Sequence, residues 1–387
     1  MREFDVVVVG GGAAGLSLTH RLRHLNVSVA LLEAPPGPAR SPERTWCYWE
    51  EGPGRWDAAL TARWDRLRVL GPDGRGRTAP TAPLTYKMLR STDFDAYVRA
   101  GLGGVEQVEA TVTGVTDGAR RATVRALDAS GAEVTYAARW VFDSRPVPPP
   151  PARTALLQHF RGWFVRTSAP DFDPSRATLM DLRPPQPPGG VAFGYILPLS
   201  RHEALVEYTE FTRAPLTSGQ YDAALHDYTK NVLRLSPFEV TSVEQGAIPM
   251  TDARHTTATG HRTFRIGAAA GAVRPATGYA FSGIQRQTAA VAHLLATGRR
   301  PLPPVPHRPR HLTMDAILLR ALDTARVPGA AFFTTLFRRN PLPKVLAFLD
   351  GTTTFPTELR LGLSTPLLPM TLTTTDHTTA RLRRGRG

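Results

Sequence analysis

The sequence predicts an α/β chain (α+β overall). A Rossmann-type dinucleotide-binding domain is interrupted by an inserted β-sheet domain and followed by a helical C-terminal segment. Three observations carry this. An unbroken apolar run, Val6 to Val9, leads straight into GGGAAG (residues 10–15) and a helical pattern. Proline-rich breaks at residues 34–42, 146–151, 184–190 and 301–309 divide the remainder into blocks, because such runs continue neither a helix nor a strand. After the β-rich block, a second glycine-flanked junction, FRIGAAAG (residues 264–271), precedes another long helical pattern.

The opening unit carries the most chemistry. A parallel strand buried on both faces reads as a continuous apolar run. Gly10 makes the tight turn, and Gly12 lets a pyrophosphate approach the backbone where Ala13 and Ala14 open the helix. Gly15 lets helix and strand pack closely. The helix start offers free N–H groups and a positive dipole end to phosphates. Glu33 lies 18 residues beyond Gly15, at the end of the next apolar run, where an acid accepts hydrogen bonds from a ribose. The motif does not choose between NAD and FAD. A βαβ unit at the start of a 387-residue chain is the usual flavoprotein arrangement, by analogy.

Further elements follow in order. Residues 106–115 and 122–127 alternate as strands, and 134–142 returns as an apolar strand ending on DSR (residues 143–145). Residues 158–166 and 177–182 read as strands of a separate sheet, and 193–199 with 204–212 as a strand pair. Residues 218–235 show helical spacing at Tyr221, Leu225, Tyr228 and Val232. A short strand, 264–267, runs through Gly267 and Gly271 toward a helix at 280–296. After Pro309 comes a helix with Leu312, Ile317, Leu318, Leu319 and Leu322. Apolar clusters at 330–337 and 345–349 follow, flanked by Arg338, Arg339 and Lys344. The resulting division is a discontinuous cofactor domain (1–150 plus 240–300), a substrate domain (151–239) and a helical, membrane-facing segment (301–380).

Composition narrows the partners. Against 33 acidic residues stand 47 Lys and Arg, a net charge of +14. Nucleic acid, an anionic membrane surface or anionic substrates would each account for such an excess, as would the arginine bias of a GC-rich genome. No zinc-finger spacing or aromatic RNA-binding strand supports nucleic acid. Part of the charge sits in the tail at residues 381–386, read as disordered and solvated. Cys47 is the single cysteine, so no intramolecular disulfide forms, which suits a reducing cytoplasm. The N-terminus has no signal-peptide pattern, and no run reaches the ~18 apolar residues of a membrane span. His307 and His311 lie in a Pro/Arg loop and no HExxH spacing occurs, so no metal site is expected. Neither GxSxG nor a Cys/His arrangement argues for nucleophilic catalysis.

More specific constellations stand in a fixed order. They are RTWCYW (44–49), DSR (143–145), QHFRGW (158–163), FGYILP (193–198), LVEYT (205–209) and PATGY (275–279). Over about residues 3–355 the chain resembles the bacterial lycopene β-cyclases, which share a flavoprotein fold of the glutathione-reductase type with geranylgeranyl reductases and aromatic hydroxylases. The resemblance implies reduced FAD, with NAD(P)H as its reductant, in a reaction without net redox change. It also implies a linear C40 polyene drawn from a membrane surface. Each linear end is protonated at C2, the C5=C6 bond attacks the cation at C1, and loss of the C6 proton leaves a β-ionone ring. By the same resemblance Pro275, Thr277, Gly278 and Tyr279 lie over the flavin. The hydroxylases carry Asp directly after the glycine of the second cofactor motif. Ala268 stands there in this chain, which weakens a hydroxylase reading.

Protonating an alkene demands a strong acid away from water. A desolvated carboxyl keeps its proton near neutrality, and water must be excluded or it captures the cation. Glu207 sits in an otherwise apolar strand, where an acid is costly without a task. It is the candidate proton donor or cation stabiliser; a structural carboxylate paired with Arg201 or Arg213 is the alternative. Many members of the family carry a second acid directly after this one. Here Tyr208 stands there, which leaves open whether one acid does both jobs. Glu210 is a possible helper, although alternation puts it on the opposite face unless a bulge intervenes. Trp46, Tyr48, Trp49, Tyr195 and Tyr208 are candidate linings of a cation pocket, the first three equally readable as core. Cys47 reads as a buried, inert thiol rather than a reactive one. The rival activities are a cyclase acting on another polyprenyl chain, a flavin-dependent lipid oxidoreductase, and a carotenoid carrier without catalysis.

Overall fold

The computed structural model describes residues 1–40 and 42–384. The expected parallel core is present. Strand Arg2–Val9 lies between Val29–Glu33 and Glu133–Asp143, all parallel, and Thr263–Arg265 extends the row beyond Glu133–Asp143. Val6 and Val8 pack toward helix Ala13–Leu22, while Val7 and Val9 pack against a second cluster with Val124 and Val141. That two-sided burial is why the run shows no alternation. Strand Glu106–Thr116 begins parallel beside Val29–Glu33. It then pairs antiparallel with Ala122–Asp128, which leads back to Glu133–Asp143 and covers one face of the sheet.

The second sheet has seven strands. Its order is Phe238–Thr251, Ala155–Thr167, Glu203–Thr212, Val191–Pro198, Ala177–Asp181, Arg66–Leu70, Gly76–Pro80. One face is closed by helix Ser218–Asp227, through Trp163, Val206, Tyr208 and Tyr221. The other carries Phe164, Leu205 and Phe211 toward the C-terminal helices. A small third sheet, Thr45–Glu51, Leu84–Arg90 and Ala62–Trp64, contributes to both large apolar clusters.

The pairing cuts across the division drawn from the proline breaks. Arg66–Leu70 and Gly76–Pro80, inside 1–150, extend the second sheet, and Phe238–Thr251, inside the block from 240, forms its far edge. Proline marks where an element stops, not which sheet edge the next strand joins. The helix at 218–235 is also shorter than its spacing suggests. Ser218–Asp227 is α-helical behind a Thr217/Gln220 capping box, and the chain widens into a π-helical turn at Tyr228–Leu233 before Arg234 adopts φ 56°.

The C-terminal segment is helical, but its apolar clusters do not face outward. Phe332, Phe333, Leu336, Phe337, Val345 and Leu346 are buried, because helix Gly329–Arg339 packs on three strands of the second sheet. Within the segment expected to face a membrane, 301–380, the apolar clusters at 330–337 and 345–349 therefore do not supply the membrane-facing surface. A run of exposed large apolar residues lies later, on Phe355–Leu363 and Leu367–Arg384: Phe355, Leu359, Leu363, Leu367, Leu368 and Leu372. The tail expected to be disordered continues the last helix to Arg384, and the remainder of that expectation, residues 385–386, lies outside the described residues. Asp376 docks this helix through Arg153 at 2.7 Å. Among the described residues no helix is long and apolar enough to cross a membrane.

Candidate functional site

A cavity of about 1030 Å³ runs from the glycine turn to the inner face of the second sheet. At its polar end, Gly10, Gly12, Ala13 and Ala14 form the wall. Gly15 stands behind them, where a Cβ would collide with the carbonyl of Gly10. Helix Ala13–Leu22 starts at Gly12 with no side-chain cap, so its first N–H groups are left for a ligand. A Cβ built on Gly12 meets nothing within 4 Å. Open space thus lies before the turn, as close approach of a pyrophosphate requires. Glu33 also lines the cavity and pairs with Arg99 and, at 3.4 Å, Arg40. Ser144 holds the turn from behind, its Oγ donating to the Val9 carbonyl at 2.8 Å.

The PATGY loop forms the next stretch of wall through Thr277, Gly278 and Tyr279. The Arg274 amide donates to the Tyr279 carbonyl at 2.8 Å, and the Gly278 amide donates to the Arg274 carbonyl at 2.9 Å. The Arg274 guanidinium is buried and bound by Asp315 at 2.6 and 3.0 Å, which ties the loop to helix Pro309–Asp323. Gly278 has φ +70°, and a side chain there would strike Gln158. The Gln158 Oε1 is buried without a hydrogen-bond partner and belongs to the cavity wall. Such an orphaned acceptor suits a ligand carrying an N–H donor. Pro275, Gly267 and Gly271 lie outside the lining. Gly267 (φ +69°) donates its amide to buried Gln287 Oε1 at 2.8 Å and packs on Ala14, and Gly271 (φ +72°) turns beside His255. Both glycines shape the junction instead of touching the space a ligand would fill.

Toward the second sheet the lining is largely apolar, with Phe193, Leu205, Phe211, Phe333 and Phe337, and Glu207 belongs to the same wall. Glu207 is 7% exposed. Burial pushes it up to about 8, nearby Glu244 adds to this, and a 2.6 Å hydrogen bond donated by Thr209 Oγ1 opposes it. A desolvated acid that keeps its proton near neutral pH is what alkene protonation needs. The ion-pair alternative finds no support at Arg213, which pairs with Asp323 at 2.7 Å.

Other candidates divide between this wall and elsewhere. Tyr195 lies directly across the strand pair from Glu207. It hydrogen-bonds Tyr86, whose hydroxyl is 3.1 Å from that of Tyr279. Trp46 and Cys47 also line the cavity. Burial pushes the Cys47 thiol up to about 12, which agrees with an inert role. Trp49 supports the tyrosines from outside, its ring edge-on to Tyr279 at 4.7 Å, and Tyr48 packs on Phe281 at 4.6 Å in the other core. Glu210 and Tyr208 point away, as strand alternation demands. The Tyr208 hydroxyl donates to Glu210 Oε1 at 2.8 Å, and His159 Nε2 lies 3.8 Å from the other Glu210 oxygen, under helix Ser218–Asp227. Neither belongs to the cavity lining.

Sequence reading missed Glu244 and gave no separate role to Gln158 and Thr209, which stand inside the QHFRGW and LVEYT constellations. Glu244 lies on Phe238–Thr251, a strand hidden in sequence because most of its residues are exposed. No local signal pairs Glu244 with Glu207; only the sheet does.

With this geometry in hand, comparisons with known proteins agree on the fold. A geranylgeranyl bacteriochlorophyll reductase-like protein of Thermoplasma acidophilum superposes with a TM-score of 0.63 at 14% identity, covering 96% of this chain and 98% of that one. A p-nitrophenol 4-monooxygenase of Pseudomonas putida superposes at 0.59 and 16%, covering 93% and 97%. By sequence, a lycopene beta-cyclase of Pseudescherichia vulneris is 28% identical over 286 residues, 71% of this chain and 70% of that protein. The family model described as lycopene cyclase protein matches residues 5–375. The chain belongs to the lycopene cyclase family.

Proposed function

We propose that the chain is a lycopene β-cyclase, an isomerase that closes the linear ends of lycopene to β-ionone rings with reduced FAD bound and no net redox change. The observation that carries this is a buried Glu207, protonated near neutrality, in the apolar half of a cavity whose other half is a dinucleotide cradle. The name of the P. vulneris relative supports the substrate.

The chain's own residues have separable tasks. Gly10–Gly15 and Glu33 would hold the pyrophosphate and ribose, and the loop ending in Gly278 and Tyr279 would lie on the side of the flavin ring. When bound, reduced FAD would supply negative charge next to the apolar half of the cavity, electrostatic help for a developing cation, with NAD(P)H as its reductant. Glu207 delivers its proton to C2 of a folded polyene end. The cation forms at C1, the C5=C6 bond attacks it, and the C6 proton leaves, so no atoms are gained. Phe193, Phe211, Phe333 and Phe337 exclude water and offer ring faces to the cation.

The polyene comes from a membrane at the cytoplasmic side. Phe355, Leu359 and Leu363 recur at four-residue spacing on one helix, and Leu367, Leu368 and Leu372 continue the exposed apolar surface. Exposed Arg360 stands among them, while Glu358 is buried and bound by Arg310 and His311. An apolar face with basic neighbours suits peripheral binding to anionic lipid.

Expression in a lycopene-accumulating bacterial host tests the reading. The expected result is loss of lycopene and gain of a cyclic product of unchanged hydrogen count, abolished by Glu207→Gln. Unchanged lycopene beside a folded, flavin-loaded chain refutes it, as does stoichiometric consumption of nicotinamide per product.

A further inference from the structure

We propose that Glu244 is the second acidic group of the reaction. Its carboxyl, set in the same wall as Glu207 and bound by Thr45, supplies negative charge that keeps the reactive proton on Glu207 and faces the substrate cation once that proton has been given up. The inference rests on the cyclase reading for its substrate, but the carboxyl pair itself follows from the sheet.

Three adjacent strands place the groups. Gly162 on Ala155–Thr167 is in register with Glu207 on one side and Glu244 on the other. Residues directly opposite share a face of the sheet, so both carboxyls look into the cavity that both line. The residue between them has no side chain to screen one from the other. A Cβ at Gly162 would press on Leu205 at 2.7 Å and on the Glu207 Cβ at 3.4 Å.

The surroundings distribute one proton unequally. Glu244 accepts two hydrogen bonds from Thr45, from its amide at 3.2 Å and its hydroxyl at 2.6 Å. Burial is the largest influence and raises the Glu244 carboxyl above its ordinary value, while these hydrogen bonds and the positive charges of Arg44 and Arg90 oppose it. Glu207 has only the Thr209 hydroxyl to oppose burial. Across two strand spacings, a negative charge on one carboxyl still disfavours a second charge on the other in a buried wall. Here the better-solvated partner, Glu244, carries the charge. The remaining titratable groups facing Glu207 are Cys47, Tyr195 and Tyr279, with Tyr86 behind them. Burial raises each of these above its ordinary value, so they stay neutral near pH 7 and Glu244 is the acidic charge that Glu207 meets.

During turnover Glu207 passes its proton to C2 and becomes a carboxylate. The C6 proton then returns to it, so Glu244 exchanges no proton and its charge remains in place throughout. That constancy separates its role from that of Glu207.

The test is an infrared titration of the protonated-carboxyl band in the flavin-loaded full chain, assigned by its loss in Glu207→Gln, together with the pH–rate profile. Wild type should lose the band and its activity as pH rises through about 8. Glu244→Gln should move both to lower pH by about one unit, as expected for a charge roughly 9–10 Å away across two strand spacings. Glu244→Asp should restore most of the wild-type position. Thr45→Val, which leaves both carboxyls in place, should move the band the same way by less, and it serves as the reading if Glu244→Gln does not fold. A band and profile unmoved in Glu244→Gln overturn the proposal, and so does a Glu244→Asp variant displaced as far as the Gln variant. A shifted band in a chain that leaves lycopene unchanged supports the pair and refutes the cyclase reading.

Discussion

Glu207→Gln keeps the shape of the side chain and removes its titration, so its effect on stability has a sign fixed by the site. In the folded chain Glu207 holds its proton up to about 8, against an ordinary value of 4.5. Between those two values the unfolded chain has released a proton that the folded chain still binds, so the free energy of unfolding falls as pH rises. The contribution is fully present below about 4.5 and lost once pH passes about 8. At about 1.4 kcal/mol per tenfold change in proton activity, the loss is at most about 5 kcal/mol. For a chain of this size that corresponds to a fall in Tm of roughly 5–10 °C. Thermal unfolding of the two proteins in matched buffers from pH 5 to 9 measures it. Other groups titrate in both proteins and cancel in the difference. Glu207→Gln should match or fall below wild type at pH 5 and gain on it steadily toward pH 9. Activity should drop ~10²–10⁴-fold, the usual contribution of a positioned general acid. Parallel Tm curves across that range would falsify the account of a buried, protonated carboxyl, and near-normal cyclisation would remove its catalytic role.

Three other perturbations separate cofactor, scaffold and surface. Gly12→Val fills open space in front of the turn, so it should abolish flavin retention while leaving the Tm of the flavin-free chain nearly unchanged; Gly15→Ala, pressed on the Gly10 carbonyl, should lower both, and equal behaviour of the two variants in flavin content and melting contradicts the assignment. Asp315→Asn leaves the buried Arg274 charge without its counter-ion, a change that usually costs about 3–5 kcal/mol; calorimetry should show that destabilisation, and an unchanged Tm would mean the pair does not clamp the loop. Replacing Leu359, Leu363 and Leu368 together by Ser should weaken sedimentation with anionic vesicles while Tm holds, since all three side chains are more than half exposed, and undiminished binding would place the lipid surface elsewhere.

Much of the cofactor end was legible because its determinants are neighbours in sequence. Strand, turn, helix and Glu33 fall within one βαβ unit, whose geometry follows from apolar runs and the steric needs of Gly10 and Gly15. Strand alternation was equally local: it separated Glu207 from Glu210 before any coordinates, and the sheet agrees, with Glu210 beneath helix Ser218–Asp227. The tertiary structure decided what chain neighbours cannot express. Gly162 stands between Glu207 and Glu244 only because three strands distant in sequence pair in that register. Residues 66–80 join the second sheet through hydrogen bonds that any free strand edge offers. The aromatic helix at 329–339 and the run of Leu359, Leu363, Leu367, Leu368 and Leu372 are both apolar, yet the first is buried on strands and the second is exposed. A hydrophobic pattern specifies that a face avoids water; which surface covers it is settled by what the rest of the chain places alongside.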